Sequence, residues 1–481
     1  MTIAAAVAVA VLLVTSIPWW RVIADRRFRA LIPKETAMVF AVLLAGLVIA
    51  IVAAVIVPLA VLIAAAVAAV IASAAAWRAR VHRGRSSAWP PGKVSITGSV
   101  RAMAHREAHL DAVSKWGPVY KTAQFHRPVA GLIGMTEARA VLREHHASLG
   151  ASVLPFNESV TGGFLRYMSD DDHDRYGSMF RRALGGSALS GVAESTIRAL
   201  DPVLERVRRE GALTSSELRS SLAGVSSAVC LATLFGVAPD DDSHRRLSAA
   251  LASAFGPPGS PVPRRPDFAS VRAIIAGLPV GTRPCALSSI AEAGHDPADP
   301  VVLDNLVVVQ VLGTANLAGL LAWVLQYLGI ESDRWRDGLA DDHGGPVATA
   351  FVSEVLRHSQ SEYLYRRVTS AFDLKGFHIP AGWWLRVGVW ESHRQPEAFA
   401  TPREAMERFA PGAATPEYAP FGIDRHACSG ASLSLRSGAA FASTVAAARD
   451  VEVIPAGGVV RGFRHWSHWR PDDSLTLRVV G

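Results

Sequence analysis

The feature that most constrains this chain is the segment 421–430, which contains Cys428, one of three cysteines in 481 residues. The next stretch, 431–445, is rich in Ala, Leu and Ser and predicts a helix. A thiolate is favoured at a loop-to-helix junction, because the N-terminus of a helix carries partial positive charge and free N–H groups. Gly430 would allow a flat ligand to approach the sulfur, and Phe421 would supply an apolar face. The segment therefore fits a metal-bound thiolate beneath a planar group, and a buried structural cysteine is the alternative.

The remaining composition limits the class of protein. Cys230 and Cys285 form no paired spacing with Cys428, so we expect neither a disulfide framework nor a zinc site, and a reducing compartment is favoured. Half of the residues are hydrophobic and the net charge is +7. This length and composition suit a membrane segment followed by one large domain. We expect no nucleic-acid partner.

The N-terminus predicts a membrane region over residues 1–85. Residues 3–17 are almost wholly apolar, and Trp19 and Trp20 follow at a position that suits a membrane interface. A signal peptide is the alternative, but no Lys or Arg precedes the apolar run. Residues 37–77 contain no charge, and as a helix they would reach roughly 60 Å, about twice the ~30 Å hydrocarbon core. We therefore expect about three transmembrane helices, with a turn near Pro58 and a re-entrant hairpin as the alternative.

The charges beside the uncharged run predict its orientation. Basic residues lie on both sides of it: Arg21, Arg26, Arg27, Arg29 and Lys34 before it, and Arg78, Arg80, Arg83 and Arg85 after it. Because basic flanks stay in the cytoplasm, the run should cross an even number of times between them. We predict a multi-pass cell-membrane protein with its N-terminus outside and its large domain in the cytoplasm. Residues 86–100, with Pro-Pro-Gly, predict a linker, and residues 101–481 predict a single domain.

The periodicity of this domain predicts a mainly α fold with small β-sheets. A hairpin is expected over 119–125 and 129–133, with Pro128 in its turn. Helical periodicity dominates 165–327, with breaks at Gly211 and Gly236 among others. Short extended pieces follow at 363–369, 377–380 and 383–389.

Glu354 and Arg357 lie in a helix predicted to begin near Val347. Residues three apart share one helix face, so their side chains can pair. An ordinary surface ion pair is the alternative.

The segment 421–430 resembles the haem-binding loop of the cytochrome P-450 family, Phe-x-x-Gly-x-Arg-x-Cys-x-Gly. Phe421, Cys428 and Gly430 match, while His426 stands at the Arg position and Asp424 at the usual Gly position. The resemblance covers roughly residues 100–481, with the family's motifs in order. It implies the cytochrome P-450 fold after the transmembrane helices, and haem b with Cys428 as the axial thiolate ligand of its iron.

The same resemblance assigns supporting roles. Glu354 and Arg357 would form the family's structural brace with Arg408, whose segment 406–409 has Met where the family has Pro. The haem propionates would be bound by Arg366 or Arg367, by His426 and by His173. Gly177 stands four residues after His173, where the family often has Arg. His173 capping a helix in an acidic loop is the alternative.

A long apolar helix over 301–328 resembles the family's central helix, which crosses the distal face of the haem. The family pattern there places an acid and an alcohol that help to deliver protons. Aligned on Gly313, this chain has Ala315 for the acid and Asn316 for the alcohol, and a slip of one residue would bring Thr314 nearby. Gly313, Thr314 and Asn316 are therefore the catalytic candidates, and a core helix with a polar turn is the alternative.

The resemblance implies a haem-thiolate monooxygenase. Its substrate would be a small organic molecule, lipophilic or a secondary metabolite, oxidised with O₂ and with electrons from a ferredoxin or similar donor. Because Ala315 replaces the acid, a second function remains open. It is a haem-binding protein with altered or lost oxygen activation, which would be peroxide-driven, non-oxygenating or a scaffold.

Overall fold

The computed structural model describes most of the large domain and a little of the N-terminal region. The described residues are 63–64, 66–70, 72, 89–124, 127–151, 157–168, 170–257, 265–279, 281–360, 363–399, 415–461 and 469–480. The predicted transmembrane helices therefore lie largely outside the described residues. Those described between 63 and 72 are helical and exposed, and they include the apolar side chains Ile63, Val67 and Val70.

The domain is mainly helical, as the periodicity predicts. Its helices are α1 (Ile96–Ala104), α2 (Ala108–Trp116), α3 (Met135–Glu144), α4 (Asp170–Ala183), α5 (Val192–Glu210), α6 (Ser215–Phe235), α7 (Asp242–Phe255), α8 (Phe268–Ala276), α9 (Ala286–Glu292), α10 (Pro300–Ile330), α11 (Ser332–Asp342), α12 (Pro346–Val355), α13 (Val389–Ser392), α14 (Pro396–Phe399) and α15 (Ala431–Ala447). Helices α5 and α6 end at Gly211 and Gly236, where the sequence predicts breaks.

Short strands form the small sheets. They are β1 (Val119–Gln124), β2 (Arg127–Ile133), β3 (Leu149–Ala151), β4 (Ala212–Leu213), β5 (Tyr363–Val368), β6 (Phe372–Leu374), β7 (Phe377–Ile379), β8 (Trp384–Gly388), β9 (Val451–Ile454), β10 (Val459–Arg461), β11 (Trp469–Pro471) and β12 (Thr476–Val479). The largest sheet has the order β1-β2-β8-β5-β3, in which β2 and β8 are parallel and the other pairs are antiparallel. It brings the early hairpin beside strands that follow α12.

Two local predictions need correction. Pro128 does not lie in the hairpin turn: it lies in β2 opposite Ala123, near the start of the strand, where a missing N–H is tolerated. The predicted linker 86–100 is packed from residue 89 onward. Trp89 contacts Trp383 edge to face with ring centroids 5.2 Å apart, and α1 begins at Ile96. Trp89 and the residues after it therefore belong to the domain.

Helix α10 is the central element of the main core. Asp299 caps its N-terminus by accepting a hydrogen bond from Val301 N, and Pro300 occupies the first turn, where no N–H is needed. The helix packs against α6, α15, α12 and β9. Among the described residues, α6 and α10 are long and apolar enough to cross a membrane, and both contribute to the main hydrophobic core.

A buried ion pair stabilises the large sheet. Arg386 of β8 and Glu391 of α13 are each about 1% exposed at the side chain and lie 2.9 Å apart. Burial alone would lower the pKa of Arg386, but the Glu391 carboxylate keeps that pKa raised. The Arg386 guanidinium also lies 5.0 Å from the ring of Tyr363. No pattern in the sequence singles out this pair, because its members are close only after β8 turns into α13.

Candidate functional site

Cys428 lies just before the N-terminus of α15, as the sequence predicts. Its backbone N–H donates to Phe421 O at 2.8 Å, which closes the loop, and Gly430 caps the helix. Phe421 packs against the main core. The loop turns at Gly422, whose φ of 81° favours glycine. The segment Asp424–His426 then forms a short 3₁₀ turn, so Asp424 at the family's Gly position is compatible with a compact loop.

Cys428 is accessible to solvent, although many protein atoms surround its thiol. The residue is exposed, whereas Cys230 and Cys285 are buried. Burial nevertheless raises the pKa of the Cys428 thiol, and the Gly430 N–H and the Arg166 charge oppose that shift. Cys428 is therefore the cysteine that can bind a ligand without disturbing the core.

A group of basic side chains lies beside this loop, and we call it the cation cluster. Its members are Arg166, His173, Arg366, Arg425 and His426. The rings of His173 and His426 meet edge to face with centroids 4.6 Å apart, and Arg425 Nε lies 3.3 Å from His173 Nδ1. Arg425 also pairs with the exposed Asp174 at 2.8 Å.

The ring of His426 has a buried nitrogen without a hydrogen-bond partner in the described structure. Burial and, after it, the nearby charges of Arg366 and the other cluster members together lower the pKa of His426 to about 3. Its Nδ1 is buried and makes no hydrogen bond in the described structure. A buried nitrogen among cations fits an anionic acceptor, such as a carboxylate.

The structure distinguishes the two arginines of β5. Successive side chains of a strand point to opposite faces. Arg366 is half-buried and its charge is the main one acting on His426, whereas Arg367 is exposed and is not among the principal charges that act on it. Arg366 is therefore the member of this pair that lies beside the Cys428 loop.

Glu354 and Arg357 form the predicted pair, and it is not an ordinary surface contact. Two parallel hydrogen bonds join them, at 2.9 and 2.7 Å, and the Arg357 side chain is 9% exposed. Burial alone would raise the pKa of Glu354, but its bonds to Arg357 and His358 hold that pKa well below the usual range. Arg408, the predicted third member, lies outside the described residues.

Arg357 is linked to the start of the cysteine loop through His393. Arg357 Nη1 donates to His393 O at 2.9 Å, and His393 Nε2 accepts from Ala419 N at 3.0 Å. The His393 ring also stacks on Tyr418, with centroids 5.3 Å apart. The Tyr418 hydroxyl donates to Ser353 O, one residue before Glu354, at 3.0 Å. The brace therefore holds the segment that leads into Phe421.

The three catalytic candidates on α10 do not share one face. Thr314 is buried, and its hydroxyl accepts from Gln310 Nε2 at 3.2 Å and bonds Cys230. A side chain on Gly313 would approach Cys230 Sγ at 3.5 Å, so that position also faces α6. Asn316 is exposed although it lies in the middle of the core helix. Asn316 therefore lies on a different face of α10 from Thr314, which is turned toward α6.

Sequence reasoning missed Arg166, Arg425 and His393. Arg166 lies in the short turn Leu165–Tyr167. The backbone N–H of Leu165, the residue before it, donates to Asn305 Oδ1 of α10 at 2.8 Å. Asp304 holds the same segment by accepting from Thr161 N at 2.9 Å and from Arg272 at 2.5 Å. These partners are distant in sequence, so no local spacing could have indicated them.

The arrangement fits haem. Cys428 offers an open sulfur that accepts a hydrogen bond from the Gly430 N–H, and a cation cluster with an unpartnered buried nitrogen lies beside it. A thiolate for the iron and cations for two carboxylates are what an iron porphyrin requires. The side chains at this site therefore match the requirements of a haem-thiolate centre.

Comparisons with known proteins agree. The family model for cytochrome P450 matches residues 343–456. An abscisic acid 8'-hydroxylase of Solanum lycopersicum is 25% identical over 179 residues, which is 33% of this chain and 38% of that protein. A cyclooctat-9-en-7-ol 5-monooxygenase of Streptomyces melanosporofaciens is 28% identical over 188 residues, which is 34% of this chain and 40% of that protein.

Solved structures resemble the whole domain. A retinoic acid-bound cyanobacterial CYP120A1 superposes with a TM-score of 0.65 at 18% identity, covering 82% of this chain and 100% of that one. A cytochrome P450SP alpha in complex with (R)-ibuprofen gives a TM-score of 0.60 at 18% identity, covering 80% of this chain and 98% of that one.

Residues 343–456 are those of the cytochrome P450 family, whose cofactor is haem b, iron protoporphyrin IX, and the domain has the fold of solved cytochrome P450 structures. The predicted cytochrome P-450 fold, mainly α with small β-sheets, is confirmed, while the transmembrane helices before it stay a prediction. The matches to these two curated relatives span less than half of either one's length.

Proposed function

We propose that this protein is a haem-thiolate monooxygenase that oxidises a small, lipophilic organic substrate with O₂ and electrons from a ferredoxin or similar donor. The observation that carries the proposal is the open Cys428 thiol at the start of α15, beside the cation cluster. Two relatives support a small organic substrate, since their names specify abscisic acid and cyclooctat-9-en-7-ol.

The residues would hold the cofactor in three ways. Cys428 Sγ would bind the iron, the Gly430 N–H would donate to the sulfur, and Phe421 would pack beside it. Arg366 and the other charged members of the cluster would pair with the carboxylates, and the buried Nδ1 of His426 would form a hydrogen bond to one of them. When bound, the haem supplies O₂ activation at an iron whose thiolate ligand favours O–O cleavage.

The brace would act by holding this geometry. Glu354 and Arg357 fix His393, and His393 fixes Ala419 just before the loop. The cysteine then stays in position whether or not substrate is present.

The activity is tested with the purified, haem-loaded chain, a reconstituted ferredoxin system and ¹⁸O₂. Candidate substrates come from comparing metabolites of cells with and without the gene. We expect a substrate-induced spin shift followed by a product that carries one labelled oxygen atom. Haem binding without any labelled product, across substrates that shift the spin state, would favour a binding or scaffold role.

The second candidate function, altered oxygen activation, is favoured by the residues of α10. Ala315 has no group that can carry a proton, and the Thr314 hydroxyl is engaged by Gln310 and Cys230. Asn316 can donate through its amide N–H and accept through its carbonyl, but an amide does not titrate near neutral pH. We propose that a hydroxyl of the substrate completes the proton path. The relative named for cyclooctat-9-en-7-ol acts on an alcohol, which is compatible with this route.

Installing the family's acid and alcohol tests this route. The double variant Ala315→Asp, Asn316→Thr should leave the coupling of electron consumption to product nearly unchanged with the native substrate. With an analogue that lacks the relevant hydroxyl, the same variant should raise coupling clearly, because the protein then supplies the missing proton path.

The matched control is Ala315→Asn, Asn316→Val, which has similar volumes without an acid or an alcohol. It should not raise coupling with the analogue. Full coupling of the unmodified chain on the analogue would mean that another protein group or ordered water carries the protons.

We further propose that residues 1–85 anchor the domain to the cell membrane, with the domain in the cytoplasm. The exposed apolar side chains Ile63, Val67 and Val70 on described helical residues support a lipid-facing segment. A reporter that is active only in the periplasm should be silent when fused after Arg85 and active when fused at the N-terminus. If the fusion after Arg85 is active and the N-terminal fusion is silent, the true orientation is the reverse of the proposed one. If both fusions are silent, the number of crossings is not odd.

A further inference from the structure

A short π-helical turn, Leu356–Gln360, follows α12 and contains Arg357 of the brace. Turns of this kind are rare and occur frequently at functional sites. The carbonyl groups of His358 and Ser359 in this turn accept hydrogen bonds from side chains of other elements. The turn is therefore held from outside, and its shape sets the position of the Arg357 backbone.

The most distant donor to this turn is Arg106, in the junction between α1 and α2. Arg106 Nη2 donates to Ser359 O at 2.6 Å and to His358 O at 3.2 Å, although 252 positions separate Arg106 from His358. His358 O also accepts from Trp390 Nε1 at 2.8 Å and from Arg394 Nη2 at 2.6 Å. One carbonyl thus joins the N-terminal part of the domain to α13 and the residues after it.

Two tryptophan rings hold the Arg106 guanidinium in place. Its Cζ lies 5.4 Å from the ring centroid of Trp323 on α10 and 4.4 Å from that of Trp390. Both tryptophans are buried. A cation over an aromatic face within about 6 Å of the centroid is attracted by the ring. Arg106 therefore connects the central helix, α13 and the π-helical turn.

Two cations converge on His358 O, and this arrangement has a cost. Burial lowers the pKa of Arg394, and the Arg106 charge lowers that pKa as well. The Trp390 ring offsets the cost, because the Arg394 Cζ lies 3.7 Å from its centroid and Arg106 lies against the same ring. A neutral side chain at position 106 would avoid the repulsion but would leave Ser359 O without this donor.

We propose that Arg106 is a positioning residue for the axial cysteine and acts on it through the brace. The inference rests on the proposed haem-thiolate function. Arg106 fixes the π-helical turn and with it Arg357, whose Nη1 donates to His393 O. His393 in turn holds Ala419 at the start of the cysteine loop. Loss of Arg106 should therefore loosen the segment that leads to Cys428 while the hydrophobic core stays folded.

The test uses the full haem-loaded chain and follows the red-shifted Soret band of its ferrous–CO complex over time, below the unfolding temperature. Arg106→Met keeps an apolar stem against the two rings but removes the charge and the donors. It should accelerate loss of the band by roughly tenfold, the size expected for one lost charge-assisted hydrogen bond. Total haem content should stay unchanged. Arg106→Lys, which retains a charged donor, should restore most of the stability of the band.

Hydrogen exchange shows where the effect lies. Arg106→Met should speed exchange of the amides at 356–360 and 419–428 and leave those of α6 unchanged. Trp390→Phe keeps an aromatic ring but removes the donor to His358 O, so it should act in the same direction on the band and on these amides. This second variant decides the question if Arg106→Met yields no folded protein.

Arg101→Ala is the matched control, because Arg101 lies in the neighbouring helix α1 and pairs with Asp111, with both side chains more than half exposed. It should change neither the band nor the exchange at 356–360. The inference is overturned if the folded Arg106→Met and Trp390→Phe proteins keep the band as long as the unmodified protein, or lose it only as the whole chain unfolds. The proposed function would still stand in that case, whereas an unmodified chain without the band would overturn both.

Discussion

Replacing Cys428 with alanine should abolish the red-shifted Soret band of the ferrous–CO complex. That band requires a thiolate ligand of the iron, and among the described cysteines only Cys428 is exposed. Burial raises the pKa of Cys230 to about 12, and Thr314 bonds its thiol, so Cys230 would be a poor thiolate. The measurement is the difference spectrum of the reduced protein with and without CO.

Cys230→Ala and Cys285→Ala are the matched controls, and both should keep the band. If Cys428→Ala retains it while one of the controls loses it, the iron is bound by a different cysteine. The control variants also report any general loss of folding, because both residues belong to the main core.

Arg357→Ala should yield little haem-loaded protein. The change leaves Glu354 half-enclosed without its bidentate partner and removes the donor to His393 O. Breaking a buried pair on one side costs about 3–5 kcal/mol, which is a large part of the stability of an ordinary domain. The measurements are soluble yield, haem content and the midpoint of urea unfolding.

Arg245→Ala is the matched control, because Arg245 pairs with Asp242 at the same three-residue spacing while both side chains are more than 70% exposed. Exposed pairs contribute little, so this variant should behave like the unmodified protein. A soluble, fully loaded Arg357→Ala protein with only a changed product profile would place Arg357 at the substrate instead of in the brace.

Local periodicity predicted many elements closely. The central helix expected over 301–328 is Pro300–Ile330, and the piece expected at 363–369 is Tyr363–Val368. Such elements are readable because their apolar spacing and their end residues lie in one continuous stretch. The parallel pairing of β2 with β8 was not readable, because it joins segments more than 200 residues apart.

The part of the site that lies in continuous motifs was predicted, and the part that depends on long-range packing was not. Cys428, Glu354 and Arg357 belong to spaced motifs, whereas the choice between Arg366 and Arg367 depends on which face of β5 meets the loop. The orientation of Thr314 depends on contacts with α6, and a slip of one residue turns a helical side chain by about 100°.

The contact between His173 and Arg425 has a consequence for biogenesis. These residues touch although 252 positions separate them in the chain. Because a nascent chain emerges from its N-terminus and contacts across long loops form late, α4 is synthesised long before its partner exists. The cofactor pocket can close only after the ribosome has produced the cysteine loop and α15. By then residues 1–85, the proposed membrane anchor, have already emerged, so on that proposal we expect haem to be captured by a chain that is already tethered at the bilayer.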